Sequence, residues 1–371
     1  MSTTSEEQRL LRDSAVRLVR DVCANGLPTE RDPSAAVWTL AIEMGWPALA
    51  FEEADGGLSG AAPEICALVS ELGRGLLVGS YIVGTVLPGR VVAAARPSAL
   101  RTALLEGLIS GTQSLCFADL EPASRGASSS VTTRATAAAG GWILGGAKTN
   151  VWSVEQTRTL LVSAVTTDAR PQELLLTVPL DAPGLTRREF PTIDGGRALE
   201  CTFSNVTVPQ VQVLMPPHAL VREVREGAWE LACVAMVAEC VGMMQALLER
   251  TAQHLQSRKQ FGQPLASFQV LRHRMADMAL ACRRAEVLGD RVARQFALLE
   301  PLERKRLVAA ACVKALVGAR FVAEQAVQLH GGMGVSAEVP VGRYLRRIVA
   351  LEATFGAADH HRARFQETGE G

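Results

Sequence analysis

The chain has 371 residues, and its 38 Lys and Arg balance its 38 Asp and Glu to a formal net charge of zero. A neutral composition lacks the clustered basic excess of a nucleic-acid-binding surface, so we expect no nucleic-acid partner. The length is too great for one ordinary hydrophobic core, and two or three packed units are expected.

The start of the chain, residues 1–9, shows no basic flank leading into an apolar run, which predicts the absence of a signal peptide. A later apolar run, residues 231–244, is short for a membrane span and contains Glu239. We therefore expect a soluble, cytoplasmic protein without a membrane span.

Eight cysteines are scattered without CxxC or other metal-ligand spacing, and most lie in apolar surroundings. They are Cys23, Cys66, Cys116, Cys201, Cys233, Cys240, Cys282 and Cys312. This pattern is typical of small, reduced core residues, so we predict no metal site.

From Glu6 to about Gly111 the apolar residues recur at helical spacing. Apolar faces are formed by Leu10, Leu11, Ala15, Leu18 and Val19 and by stripes at 38–44 and 65–72. The glycine-rich stretch 56–60 lacks the lysine and the preceding strand of a phosphate-binding loop, so a plain connection is favoured. An all-α domain over residues 1–112 is predicted.

From Ser114 short β-rich runs alternate with turns rich in Gly, Pro and Asp. The runs are residues 130–133, 141–144, 159–162, 173–178 and 199–203. They predict an antiparallel β domain over residues 113–214. After Pro217 the chain is helical again to about Phe365, and four long helices forming a bundle are predicted over residues 215–371.

One polar stretch, residues 257–264, interrupts the helical region of this last domain. Apolar residues at helical spacing before it place Arg258 in the last turn of a helix, which Gly262 and Pro264 then end. Ser267 is the predicted N-cap of the next helix. That helix carries Leu271, Met275, Met278 and Cys282 along one face.

The corner between these two helices presents Arg258, Phe261 and Gln269 together. A guanidinium fork, an aromatic face and an amide suit a cofactor that has both phosphate and an aromatic ring. An ordinary helical hairpin, in which Arg258 opposes the dipole at a helix C-terminus, is equally compatible with the spacing.

Several blocks of this sequence resemble the acyl-CoA dehydrogenase family. The main ones are Arg-Lys-Gln-Phe-Gly at 258–262, Phe268-Gln269, Ala-Asp-Met at 276–278 and Gln-Leu-His-Gly-Gly-Met-Gly at 328–334. Further matches follow in the family's order at 44–53, 56–57, 121–122, 145–148, 194–197 and 206–209. The resemblance covers nearly the whole chain.

The resemblance implies an α+β fold with an N-terminal α-helical domain, a middle antiparallel β domain and a C-terminal four-helix bundle. It implies FAD as the cofactor, with Arg258 binding the diphosphate and Phe261 and Gln269 beside the nucleotide. It also implies an oligomer, because Gln328, Gly331 and Gly332 would reach the FAD of a neighbouring subunit. Glycine suits that role because a backbone without side chains allows close approach. A helix C-cap and turn at 331–334 is compatible with this role.

The implied reaction is α,β-dehydrogenation of an acyl-CoA to the 2,3-enoyl-CoA, as in fatty acid or lipid metabolism, with an electron acceptor such as an electron-transfer flavoprotein. A glutamate in the family removes the α-proton. Most members have it directly before a glycine that precedes an arginine by six residues, and here Phe355 precedes Gly356. Some members have it ten residues before a glycine corresponding to Gly242, and here that residue is Ala232.

The segments that face the flavin in the family depart as well. Where the family often has Thr-Glu-Pro, this chain has Leu120-Glu121-Pro122, and residues 148–153 read Lys-Thr-Asn-Val-Trp-Ser. Backbone groups would then have to replace the threonine hydrogen bond to the flavin.

Three functional hypotheses follow. The first is an FAD-dependent acyl-CoA dehydrogenase or a subunit of one, with Glu230 and Glu352 as candidates for the base. For each of these glutamates an exposed or ion-paired helix position is favoured over catalysis. The second hypothesis is a non-catalytic partner subunit that completes the FAD site of an active relative in a heteromer rather than a homo-oligomer. The third is a flavoenzyme of the same fold acting on another substrate carried on CoA or on an acyl-carrier protein.

Overall fold

The fold comes from a computed structural model, which describes residues 6–24, 27, 34–122, 131–152, 157–336 and 339–367. The chain forms two compact units. One unit consists of Met1–Ser34, Ala62–Gly79 and Cys233–Gly371, and the other of Ala35–Ala61 and Ser80–Ala232.

The first 112 residues are helical where the structure describes them, as predicted. Their helices are α1 (Glu6–Val22), α2 (Ser34–Glu43), α3 (Ala62–Arg74), α4 (Leu87–Ala93) and α5 (Ala99–Ile109). Ser98 caps α5, since its side chain accepts a hydrogen bond from the Arg101 N–H at 3.1 Å. The predicted face of α1 is correct at Ala15 and Leu18, which are buried, but wrong at Leu10, which is 59% exposed.

The middle of the chain forms an eight-stranded sheet. Its strands are β1 (Cys116–Ala118), β2 (Arg134–Ala138), β3 (Gly141–Trp152), β4 (Thr159–Thr166), β5 (Glu173–Pro179), β6 (Leu185–Pro191), β7 (Arg197–Pro209) and β8 (Val213–Met215). The strand order is β6-β7-β3-β2-β4-β5-β8, and β1 pairs with β4. Of the strand predicted at 130–133, residue 130 lies outside the described residues, and the strand itself begins at Arg134. The remaining predicted runs lie within β3, β4, β5 and β7.

Most strand pairs are antiparallel, as predicted, but two are parallel, so the sheet is mixed. Strands β1 and β2 both pair with β4 in parallel, with Cys116 opposite Leu160 and Arg134 opposite Val165. Strands β2, β3 and β4 alternate in direction along the chain, but β4 lies beside β2 instead of β3. As a result, β2 and β4 run in the same direction and pair in parallel. One continuous apolar cluster, including Leu144, forms the core of this sheet.

The last part of the chain is helical, as predicted. Its helices are α6 (Leu220–Ser257), α7 (Gln269–Gln295), α8 (Pro301–His330) and α9 (Val341–Phe355), followed by a fifth, α10 (Ala358–Glu367). Helix α7 packs against α8, and α8 packs against α9 and α10. Helices α3 and α6 approach closely at Gly242. A Cβ at this position would lie only 1.9 Å from the Ser70 carbonyl oxygen, so a larger residue would not fit.

Helix α6 is the one described helix long and apolar enough to cross a membrane. Its most apolar window of 18 residues has a mean hydropathy of 1.9, and 89% of that window is buried within the protein. Burial of this extent is typical of the core helix of a folded domain.

The connection between α6 and α7 differs from the predicted tight corner. Helix α6 ends at Ser257, before Arg258, and a short hairpin of β9 (Lys259–Gln260) and β10 (Gln263–Pro264) follows. Its turn residues, Phe261 and Gly262, have φ of 53° and 80°, the positive values that a tight two-residue hairpin turn requires. Ser267 does not cap α7, since its hydroxyl donates to the Pro264 carbonyl at 2.7 Å and Phe268 occupies the cap position.

Candidate functional site

The hairpin after α6 presents three predicted cofactor residues to solvent. Phe261 is 89% exposed, and Arg258 and Gln269 are exposed as well. The Phe261 ring contacts that of Phe268 edge to face, with 6.1 Å between ring centroids. The hairpin turn accounts for the positive φ of Phe261, and its exposed ring is available to a ligand.

Three predicted cofactor side chains have no hydrogen-bond or ion-pair partner within the described parts of the chain. No described carboxylate pairs with the Arg258 guanidinium, and no described group bonds the side-chain amides of Gln269 or Gln328. An exposed guanidinium that lacks a carboxylate is available for a bidentate contact with phosphate.

Two histidines bring the two distant sequence blocks together. His254 lies in the last turn of α6, four residues before Arg258. His330 is the last residue of α8 and directly precedes Gly331. Their rings stack with centroids 4.3 Å apart and an interplanar angle of 25°. His330 is fixed by a 2.8 Å contact between its Nδ1 and the Ala326 carbonyl. The arginine block and the glutamine-glycine block thus lie side by side in one unit.

The same stack affects the charge of this surface. Burial lowers the pKa of His254, and the nearby His330 and Arg258 lower it further. The lowered pKa favours the neutral form of His254 beside the Arg258 guanidinium.

The glycines after α8 leave open space above their backbone. Gly331 ends α8 with a φ of 62°, and it begins the 3₁₀ turn Gly331–Val335, as the predicted C-cap and turn require. A Cβ placed on Gly331 or Gly332 would have no atom within 4 Å, whereas one on Gly334 would lie 2.4 Å from the Val327 carbonyl oxygen. Gly334 is thus required by packing. The space beside Gly331 and Gly332 fits the close approach of a nucleotide.

Both positions at which the family carries its base are apolar and buried. Phe355, the last residue of α9, is 1% exposed, and Ala232 in α6 is fully buried. Helix α6 is continuous through residues 220–257, so no irregularity moves another side chain into the position of Ala232.

The two candidate glutamates lie elsewhere. Glu352 accepts a 2.8 Å hydrogen bond from Nη1 of Arg320 on α8, which is the ion-paired arrangement considered above. Glu230 is buried at 3% exposure. It precedes Ala232 by two residues, a rotation of about 200° around a helix of 3.6 residues per turn, so it lies on the opposite face of α6.

The sheet-containing unit holds a buried charged network that the sequence did not reveal. Lys148, in β3, is 1% exposed, and its Nζ donates to Glu121 Oε1 at 2.8 Å, to Ser163 Oγ at 3.0 Å and to the Asp119 carbonyl at 3.2 Å. The Glu121 carboxylate also accepts hydrogen bonds from Thr132 and Thr133. Burial raises the pKa of Glu121, but Lys148 and these donors outweigh burial and lower it to about 2.

Arg225 extends this network across the sheet. Its Nη1 donates to Asp119 Oδ2 at 3.0 Å and its Nε to Glu173 Oε2 at 3.1 Å. Burial lowers the pKa of Arg225, but the two carboxylates outweigh burial and raise it. Glu121 and Lys148 lie in the family-like blocks, but no local pattern pointed to Asp119, Glu173 and Arg225, which complete the network.

The network fixes the segments that correspond to the family's flavin-facing ones. The Thr149 N–H donates to the Leu120 carbonyl at 2.9 Å, so the two segments run next to each other. Asn150 has a φ of 50°, and β3 continues to Trp152. Ser153 lies outside the described residues.

Comparisons with known proteins agree with this architecture. A family profile described as the acyl-CoA dehydrogenase N-terminal domain matches residues 5–112, and one described as the C-terminal domain matches residues 228–369. The probable acyl-CoA dehydrogenase YngJ of Bacillus subtilis is 28% identical over 332 residues, which cover 86% of each chain.

Two solved structures share the fold. The Tcur3481-Tcur3483 steroid ACAD G363A variant has a TM-score of 0.85 and 26% identity, covering 98% of this chain and 97% of its own. An FAD complex of PigA has a TM-score of 0.88 over all of this chain and 99% of its own, and its 20% identity makes this a likeness of fold. Because both terminal domain profiles match in order and relatives of the same description align over most of the chain, this protein belongs to the acyl-CoA dehydrogenase family.

Proposed function

We propose that this chain is the FAD-binding subunit of a heteromeric acyl-CoA dehydrogenase, in which a related subunit supplies the base that removes the α-proton of the acyl-CoA. The observation that carries the proposal is the burial of Phe355 and Ala232 at the two positions of the base, with Glu352 held by Arg320. Neither hydrocarbon side chain can accept a proton.

FAD is the cofactor of this fold and family, as the sequence predicted. When bound, FAD supplies the acceptor for the β-hydride of the substrate. The residues that would hold it are the exposed Arg258 for the diphosphate, Phe261 beside the nucleotide, and the amides of Gln269 and Gln328. Gly331 and Gly332 allow close approach on the same surface.

We propose further that both blocks hold the same FAD, because the stack of His254 and His330 places them side by side. The sequence suggested separate roles, with the block at Gln328 alone reaching a neighbouring subunit. Their proximity instead supports one continuous binding surface for the adenosine diphosphate half.

A two-component relative supports the heteromer. The steroid ACAD similar to this chain is named for two components, Tcur3481 and Tcur3483. We propose that this chain likewise assembles with a related subunit, uses an acyl-CoA or acyl-carrier substrate and passes electrons to an acceptor such as an electron-transfer flavoprotein. The division into domains 1–112, 113–214 and 215–371 and the cytoplasmic location remain predictions, and the profile match ending at residue 112 supports the first boundary.

Anaerobic flavin bleaching tests the proposal. The purified chain loaded with FAD is mixed with acyl-CoA, alone and after coexpression with a related subunit that has the glutamate. We expect bleaching only in the heteromer, at a rate in the usual enzymatic range of about 1–10³ per second. Replacing the partner's glutamate should slow bleaching by about 10²-fold or more. Bleaching at an enzymatic rate by the chain alone would reject the proposal.

A stand-alone dehydrogenase is the second candidate, and the burial of Glu230 favours it, because a buried carboxylate is costly and often functional. Under this alternative Glu230→Gln slows bleaching by the lone chain by about 10²-fold or more, and Glu352→Gln, which only breaks a pair with Arg320, serves as its control. Under the heteromer proposal neither change alters the rate of the complex.

A further inference from the structure

Three buried donor side chains from three helices meet in the core of the helical unit. They are Cys233 of α6, Cys312 of α8 and His361 of α10, and each is 0% exposed. Their ligand atoms all lie within 4.8 Å of one another. The three groups thus form one cluster, and none of them is among the residues assigned to FAD or to the base.

We propose that this cluster binds a Zn²⁺ ion that fastens α10 to α6 and α8. Two thiolates and an imidazole are ligands that Zn²⁺ prefers. With Zn–S distances of about 2.3 Å and Zn–N distances of about 2.0–2.1 Å, tetrahedral ligand atoms lie about 3.5–3.8 Å apart, so side-chain shifts of about 1 Å complete the site. Three protein ligands leave the fourth position for a water molecule.

The charge balance suits a buried site. Binding forms two Zn–S bonds and one Zn–N bond, and it releases the two thiol protons to solvent. The resulting unit of Zn²⁺ and two thiolates is neutral, so it adds no net charge to an apolar core that includes Val234 and Ala311. Arg364, buried on α10 one turn after His361, also interacts electrostatically with Cys312. A nearby positive charge favours the thiolate form that binds Zn²⁺.

Zinc content tests this proposal. Tag-free, FAD-loaded protein is dialysed against ZnCl₂, desalted and analysed by mass spectrometry for metal. We expect about one zinc per chain in the wild type, and less than about a tenth of that in Cys312→Ala and His361→Gln. Cys282→Ser is the control, because Cys282 is a buried cysteine of α7 outside the cluster, and it should retain zinc like the wild type.

A second measurement uses the wild type alone, so it does not depend on the folding of variants. X-ray absorption of the zinc-loaded protein should show sulfur neighbours at about 2.3 Å and nitrogen at about 2.0–2.1 Å. A zinc shell without sulfur would overturn the proposal. Three other results would also overturn it: a wild type that retains no zinc, a Cys312→Ala variant that retains as much zinc as the wild type, or a Cys233–Cys312 disulfide instead of a zinc site. None of these readouts depends on dehydrogenase activity.

Discussion

The polar groups of the sheet-containing unit and those around Arg258 in the helical unit are arranged in opposite ways. In the first region Lys148, Glu121 and Arg225 are at most 2% exposed, and each has charged partners within 3.1 Å. In the second, Arg258 and Gln328 are exposed, and no described side chain bonds their polar groups. Buried charges must be paired to be tolerated, whereas exposed unpaired groups leave their hydrogen-bonding capacity to a ligand. The first arrangement should therefore serve stability, and the second binding.

The largest effect is expected from Lys148→Met. The change leaves the buried Glu121 carboxylate without its cation, which typically destabilises a protein by about 3–5 kcal/mol. The free energy of unfolding in urea, followed by circular dichroism, measures the loss.

Lys305→Met is the matched control. Lys305 makes a 3.3 Å ion pair with Glu367, whose side chain is 63% exposed, so its loss should change the free energy of unfolding by no more than about 1 kcal/mol. An equal loss of unfolding free energy in Lys148→Met and Lys305→Met would show that burial of the network does not determine how much it stabilises the protein.

Acid should weaken the network at Glu121. The pKa of Glu121 is about 2 in the folded protein and 4.5 without its environment, so its stabilisation is present above pH 4.5 and is lost as the pH falls towards 2. The full shift corresponds to about 3 kcal/mol. Urea unfolding across this pH range should show a shallower pH dependence for Glu121→Gln than for the wild type. The same pH dependence in the wild type and in Glu121→Gln would contradict the lowered pKa of Glu121.

Arg258→Ala tests the second region. Charge-assisted contacts of an arginine contribute about 1.5–3 kcal/mol, so the variant should bind FAD at least about tenfold more weakly. Its unfolding free energy should stay close to that of the wild type, because Arg258 is exposed and pairs with no described carboxylate. FAD titration followed by fluorescence measures the affinity.

A surface arginine provides the comparison for that experiment. Arg188, in β6, has a 71% exposed side chain that pairs with Glu200, and Arg188→Ala should leave FAD affinity unchanged within about twofold. Weakening by both variants would point to general electrostatic attraction, and weakening by neither would remove Arg258 from the site.

The connection after α6 shows where local sequence patterns misled. Gly262 and Pro264 were correctly identified as residues that exclude a helix, yet α6 ends earlier, at Ser257. The intervening residues gain cross-strand hydrogen bonds in a hairpin, which requires a positive φ at Phe261. A helix-ending signal does not specify the structure that follows, because pairing of β9 with β10 depends on residues on both sides of the turn.

The sequence by itself determined the family, the helical and β-rich parts of the chain and the blocks around Arg258 and Gln328, because each of these depends on residues that are close together in the chain. Only the tertiary structure decided that His254 and His330 join those blocks, that Arg225 links Asp119 to Glu173, and that Cys233, Cys312 and His361 meet. Cysteine spacing had predicted separate core thiols. Contacts between residues far apart in the chain are set by how helices and strands pack, and spacing along the chain carries no record of that packing.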